Sequence, residues 1–284
     1  MFFLKQLEHA RAIRNRIIEC FERASSSFVS EEEKKRLLTF VVVGGGPTSI
    51  EFTSELYDFL EADVSRWYPD LAGRYEVVLV EAGKHLLASF DEKLSNYVEK
   101  LFKKRNISLL TGESVKEVNE NSITTRSGRE VQFGVCVWST GNTALEFVRQ
   151  LQLPLSGDGR ILVDDRLRIP QHQGVYALGD CAVSQDRPLA MLAQVANQQG
   201  KYLGKVFNKD METPFNYIFM GSMAQLGTWK AVADLNGPTV TVHSRCIFLI
   251  DFLVNISGSD SISSLEVSLL GLSGHSQRSI VVLA

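Results

Sequence analysis

The sequence is poor in the residues that most directly advertise chemistry. Its 284 residues include 4 cysteines, Cys20, Cys136, Cys181 and Cys246, scattered without the spacing of a metal site or a disulfide framework. They read as reduced thiols, and no metal is expected. The 5 histidines, His9, His85, His172, His243 and His275, fall in no recognisable motif, so a Ser–His–Asp or Cys–His reading finds no support. Charge of either sign is not in excess: 30 Lys and Arg against 33 Asp and Glu leave a net −3, which gives no hint of nucleic acid. No apolar stretch approaches the roughly 20 residues that span a bilayer. The hydrophobic share of 44% is ordinary for a globular chain, and the length holds one large domain or two small ones.

What is present is concentrated in residues 37–51, LLTFVVVGGGPTSIE. Leu37 to Val43 is a continuous apolar run, as expected of a strand buried on both faces of a parallel sheet. Gly44 allows the sharp turn out of that strand, Gly45 continues the loop, and Gly46 removes a side chain where a pyrophosphate must approach the backbone. Pro47 and Thr48 then open a helix whose unpaired N–H groups and positive dipole end attract an anion. Ser49 departs from the fingerprint, which calls for Gly or Ala at its third position; the helix is therefore expected slightly further from the strand. Thr48-x-x-Glu51 fits a capping box.

The acidic partner of such a loop sits at the end of the second strand, and YEVVLV (Tyr75 to Val80) ends in Glu81. Glu81 lies 81 − 44 = 37 residues beyond Gly44, longer than the usual separation of about 20. The excess falls in Asp58 to Arg74, read as a helix extension plus a loop. A carboxylate at this position favours NADH over NADPH, because it repels a 2′-phosphate; a solvated strand-end charge is the plainer alternative. Upstream, Leu4, Leu7, Ile13, Ile17 and Phe21 have helical spacing, while Glu8, Glu19 and Glu22 argue against a targeting peptide. Downstream, Phe90 to Lys104 reads as an amphipathic helix and Ile107 to Leu110 as a short strand. Val115 to Val118, Ser122 to Thr125 and Val131 to Phe133 form an expected antiparallel excursion before the chain re-enters the sheet at Val135 to Trp138.

The runs TFVVVGGGPTSIEFTSELYDF, WYPDL, VVLVEAG, WSTGN, VYALGDCA and AQVANQQGKYLG together resemble the type II NADH dehydrogenases, the alternative NADH:quinone oxidoreductases, over roughly residues 1 to 238. The resemblance implies a flavoprotein with two dinucleotide-binding domains. It passes hydride from NADH to FAD and two electrons to a quinone such as ubiquinone, without pumping protons. It places Glu51 beside the nicotinamide, and Thr140 and Gly141 beside the nicotinamide or flavin. Gly179 and Asp180 fall at the ribityl chain, Ala193 and Gln194 at the flavin, and Gln194 and Gln198 at the quinone. Taken without the resemblance, Gly179-Asp180 is an ordinary turn and the two glutamines are a polar helix stripe within Leu189 to Phe207. The resemblance further implies peripheral association with the mitochondrial inner membrane and admits a homodimer.

The expected fold class is α/β: a Rossmann-like NADH-binding domain with a three-layer parallel sheet, plus the C-terminal return segment of an incomplete FAD-binding domain. Residues 1–35 are the linking helix, 36–143 the NADH domain, 144–238 the partial FAD and quinone segment, and 239–284 a divergent tail. No second G-x-G-x-x pattern follows a strand, so most of the FAD domain is expected to be missing from this chain. The tail holds CIFLIDFLVNI, too short to span a membrane and without a basic face, and no function is assigned to it. The alternative to an oxidoreductase is a non-catalytic fragment that binds NADH only.

Overall fold

The computed structural model describes residues 1–141, 144–209, 213–228, 230–234, 239–243 and 280–283. The CIFLIDFLVNI stretch and Asn142 lie outside them. The chain divides into two units: Met1–Thr140 with the described residues of Gly221–Gly258, and Gly141–Met220 with the described residues of Ser259–Ala284.

The first unit runs β1 (Phe2–Phe3), α1 (Leu7–Ala24), α2 (Glu31–Leu37), β2 (Thr39–Val43), α3 (Pro47–Phe59), α4 (Ser65–Trp67), β3 (Glu76–Glu81), α5 (Glu92–Lys104), β4 (Ser108–Thr111), β5 (Val115–Val118), β6 (Ser122–Thr125), β7 (Glu130–Gln132) and β8 (Val135–Trp138). Its central sheet is parallel throughout, in the order β1-β8-β2-β3-β4. Strand β2 lies between β8 and β3, which puts its carboxyl end, and the glycine loop after it, where the strand order reverses. In doubly wound sheets that is where ligands bind.

The unit has three layers, with this sheet in the middle. Phe40, Val77, Leu79, Val135 and Val137 join one core with α1, α3 and α5. Their sequence neighbours Val41, Val78, Val80 and Cys136 join a second core with Ile123 and Phe133 of the antiparallel β5-β6-β7 sheet. Both faces are therefore dry, and every residue of β2 is buried. The strand expected from Leu37 begins at Thr39, because Leu37 still closes α2 and Leu38 caps it. The third layer is this small antiparallel sheet, built from the excursion expected between Val115 and Phe133.

The reading of the first helix is corrected. The buried stripe of α1 is Ile13, Ile17, Cys20, Phe21 and Ala24, whereas Leu7 is 61% exposed. The stripe begins a turn and a half later because the core contact is made by Phe21, stacked on Phe40 and Tyr68 with centroids 5.9 and 5.6 Å away. The spacer between loop and second strand is a helix extension followed by a loop, as expected: α3 continues through a π-helical turn, Leu60–Val64, into α4, and a 3₁₀ turn at Pro69–Leu71 follows. The Ser65 hydroxyl donates to the Leu60 carbonyl at 2.9 Å inside that wide turn.

The second unit carries α6 (Glu146–Gln150), β9 (Ile161–Val163), β10 (Val175–Leu178), β11 (Ala182–Ser184) and α7 (Ala193–Lys209). Strand β11 pairs parallel with β9 around a core of Ile161, Val163, Ala177, Leu178, Leu203 and Val206. The chain then returns to the first unit with β12 (Ser222–Gln225), β13 (Lys230–Asp234) and β14 (Thr239–His243), an antiparallel meander whose Ala224, Leu226 and Val232 enter the helix-side core. Residues 221–234, read with the FAD segment from sequence, thus pack with the first unit. Strand β15 (Ile280–Leu283) pairs parallel with β10.

Candidate functional site

The glycine loop is specified by what surrounds each residue. Gly44 has φ +123°, and its N–H donates to the Val80 carbonyl at 2.8 Å, so the turn is tied to the neighbouring strand. A Cβ there would meet Ser49 Oγ at 2.7 Å and the Ser139 carbonyl at 3.1 Å. Gly45 lies against Glu81, whose carboxylate would sit 2.8 Å from any Cβ, and its carbonyl accepts from Leu87 N–H at 2.8 Å. Gly46 is exposed and faces open space, as a residue against which a ligand must lie. It is also the N-cap of α3, with Pro47 in the first turn and Thr48 exposed beside it.

Glu81 ends β3, and its Oε1 accepts from Gly83 N–H at 2.5 Å. That bond, with Gly45 on the other side, fixes one carboxylate oxygen beside the loop and leaves the group half-buried. Gly83 is a site residue that sequence reasoning missed; the signal was the glycine two residues past the acid. Ser49, at the fingerprint's third position, is fully buried, and its hydroxyl donates to the Ser139 carbonyl at 3.3 Å, joining α3 to the end of β8. Thr140 and Gly141 follow, both exposed, with Gly141 at φ +72° and the Thr140 carbonyl accepting from Trp138 Nε1 at 3.1 Å.

The capping box is not formed. No side chain caps α3, and Glu51 Oε1 instead accepts from Gln225 N–H in β12 at 3.1 Å. The reason is position: Gly46 and not Thr48 is the N-cap, so Glu51 lies deeper in the helix, where its carboxylate faces the returning strand. Two turns further, Asp58 Oδ2 accepts from Thr228 N–H at 2.7 Å and Thr228 Oγ1 at 3.1 Å. Glu55, on the same face, has its carboxyl held above the usual range, first by partial burial and then by Asp58 and Glu51, with Arg105 opposing.

In the second unit, β10 ends at Leu178; Gly179 follows in a 3₁₀ turn with φ +73°, and Asp180 is exposed just beyond it. The Gly179 N–H donates to Gln199 Oε1 at 2.7 Å. Gln199 is buried and was also missed; it interrupts the apolar stripe Val195, Leu203, Val206 of α7, and a polar residue in such a stripe needs a partner. Gln194 and Gln198 hold the chain that follows α7. Gln198 accepts from Ile218 N–H at 2.9 Å and donates to the Ile218 carbonyl at 2.8 Å, while Gln194 Oε1 accepts from Met220 N–H at 3.2 Å. Ala193 opens α7 and is exposed. Beside Gly179 and Gln199 lies a cavity of about 460 Å³, walled by Leu167, Val183, Val195 and Tyr217, whose buried hydroxyl has no hydrogen-bond partner. Among the described residues no cluster of His, Cys, Asp or Glu could hold a metal ion.

A parallel sheet with a glycine loop at its switch point, a strand-end carboxylate held beside that loop and an antiparallel excursion defines a Rossmann-like, dinucleotide-binding class of protein. The chain belongs to the pyridine nucleotide-disulphide oxidoreductase family, whose model matches residues 2–200. A probable NADH dehydrogenase of Dictyostelium discoideum is 42% identical over 247 residues, covering 83% of this chain and 55% of the relative. The internal alternative NAD(P)H-ubiquinone oxidoreductase A1, mitochondrial, of Arabidopsis thaliana is 40% identical over 252 residues, covering 82% and 49%. The chain thus spans about half the length of these relatives. In fold it matches NDH2 from Plasmodium falciparum, solved in complex with NADH, with a TM-score of 0.81 over 92% of this chain and 70% of the other, at 23% identity.

Proposed function

We propose that this chain supplies the NADH-binding unit and part of the flavin and quinone site of a type II NADH:quinone oxidoreductase. The observation that carries the reading is the Gly45–Glu81–Gly83 contact. It presents a fixed carboxylate beside an anion-binding loop, the arrangement that takes the adenosine ribose while the pyrophosphate lies on Gly44, Gly46 and the first turn of α3. A 2′-phosphate brought to the same place meets Glu81, so NADH is the nucleotide.

FAD, held at its ribityl chain by Gly179 and Asp180, would supply the two-electron acceptor between the nicotinamide and ubiquinone, without proton pumping. The residues present fit its ribityl end: a left-handed glycine held by Gln199 lets a chain of hydroxyls approach, and the exposed Asp180 offers them an acceptor. Glu51 orients the nicotinamide, and Thr140 and Gly141 line its approach. Ala193 and Gln194 stand at the flavin. Gln194 and Gln198 stand at the quinone, tying down the backbone of Ile218 and Met220. Hydride transfer requires no protein acid or base, so the chain contributes position and exclusion of water.

The mitochondrial names of the relatives support a place at the mitochondrial inner membrane, with peripheral association and pairing of two copies as parts of the same proposal. Among the described residues no helix is long and apolar enough to cross a membrane. Calorimetry tests the core of the reading: NADH is expected to bind, and NADPH to bind at least about tenfold more weakly. Yellow flavin absorbance retained on the purified chain, or acquired on adding FAD, tests the rest. A chain that binds NADH but never takes up flavin is a non-catalytic fragment, and one that ignores NADH ends the proposal.

A further inference from the structure

We propose that Asp58 is a positioning residue for the nicotinamide end of NADH, acting through the turn at Gln225 to Thr228. The inference rests on the NADH reading above and adds to it a part of the molecule that sequence gave no reason to connect with the nucleotide.

The geometry is a two-point clamp. Glu51 and Asp58 are seven residues apart on α3, hence on one face and about 10 Å apart along the axis. Glu51 takes the N–H of Gln225, the last residue of β12. Asp58 takes the N–H and hydroxyl of Thr228, inside the turn that leads to β13. Between Glu51 and Asp58, Glu55 Oε1 accepts from Gln225 Nε2 at 3.4 Å, so the anchored residues are Gln225 and Thr228. Anchorage at one residue leaves a strand free to pivot; anchorage at two fixes where it lies along the helix and how it is rotated. The turn is shaped to receive the carboxylate: Gly227 has φ +86°, and a Cβ on it would overlap Asp58 Oδ2. Asp58 is itself held from behind by Arg105, whose guanidinium lies 3.7 Å from Oδ1 and stacks 4.9 Å from the centre of the Tyr57 ring. Asp58 touches no part of the nucleotide loop. Its influence passes through the turn to Gln225 N–H, and from there to the orientation of the Glu51 carboxylate.

Calorimetric titration of the whole chain with NADH and, separately, with ADP-ribose, which lacks the nicotinamide, separates this role from a structural one. Loss of a hydrogen bond to a charged group scales to roughly tenfold, so Asp58→Ala is expected to weaken NADH about tenfold while ADP-ribose stays within about twofold. Asp58→Asn, which keeps an acceptor for Thr228 N–H, is expected to restore most of the difference. Gly227→Ala, which displaces the carboxylate, should reproduce Asp58→Ala, and the double variant should be little worse than either single one. Equal weakening of both ligands, or no change in either, overturns the proposal. Wild-type chain that binds neither ligand overturns the NADH reading itself, and this inference with it.

Discussion

The two units solve the same problem, burying a sheet, with different completeness. In the first unit both faces of the parallel sheet are covered, one by helices and one by β5-β6-β7, and the loop is tied by backbone hydrogen bonds to β3, to Leu87 and to the first turn of α3. In the second unit the parallel pairs are short, a cavity of about 460 Å³ opens beside Gly179, and Leu192, Phe207, Ile218, Phe219 and Met220 are exposed. Small units bury a smaller share of their surface and are correspondingly marginal. The glycine loop is held by backbone hydrogen bonds from Gly44 and to Gly45, whereas the Gly179 N–H just past β10 rests on one buried amide, that of Gln199.

The strongest test of that contrast is within the loop. Gly44→Ala forces a left-handed backbone on an alanine and drives its Cβ into Ser49 and Ser139, so a loss of about 3 kcal/mol in stability and of more than about a hundredfold in NADH affinity is expected. Gly46→Ala meets nothing and needs no unusual backbone, so it should lose no more than about 1 kcal/mol, from the poorer N-cap of α3, while NADH weakens about tenfold from the side chain. Equal losses of stability in the two variants would show that the loop is structural and not shaped for a ligand. The next largest effect falls in the second unit. Gln199→Leu strands the Gly179 N–H, at a cost of about 1–3 kcal/mol, and faster hydrogen exchange should appear in residues 175–181 without change at residues 39–46. Exchange that rises equally in both stretches would mean the units unfold as one.

The legible parts of this molecule were those set by periodicity and backbone freedom. The apolar run before Gly44, the excursion between Val115 and Gln132 and the strand Val135–Trp138 were readable because burial on two faces, or on alternating ones, leaves a pattern in the residues themselves. The loop and Glu81 were readable because few residue types satisfy them. What was not readable depends on contacts between residues far apart in sequence. Glu51 satisfied the spacing of a capping box, yet its partner is 174 residues away. Asp58 lay in a stretch read as the start of a spacer, and nothing local marks it as the seat of Thr228. Gln199 was overlooked for its neighbour Gln198, although a step of 100° around α7 turns one amide inward and the other toward Ile218.

The smallest effect probes how dry the sheet between its two covering layers is. Cys136 lies in β8, fully buried against the antiparallel layer, and burial pushes its thiol up from an ordinary 9.0 to about 11. Between those values the unfolded chain releases a proton that the folded chain retains. The contribution to stability is therefore complete below pH 9.0 and is lost as pH rises through about 11. At pH 10 the difference amounts to about 1 kcal/mol, since each pK unit of separation is worth about 1.4 kcal/mol. Chemical denaturation at pH 8 and pH 10 should show the wild type losing about 1 kcal/mol more over that interval than Cys136→Ala, which has no thiol to titrate. Identical losses in the two proteins would mean that water reaches this face, and that the β5-β6-β7 layer opens where the sheet was held to be sealed.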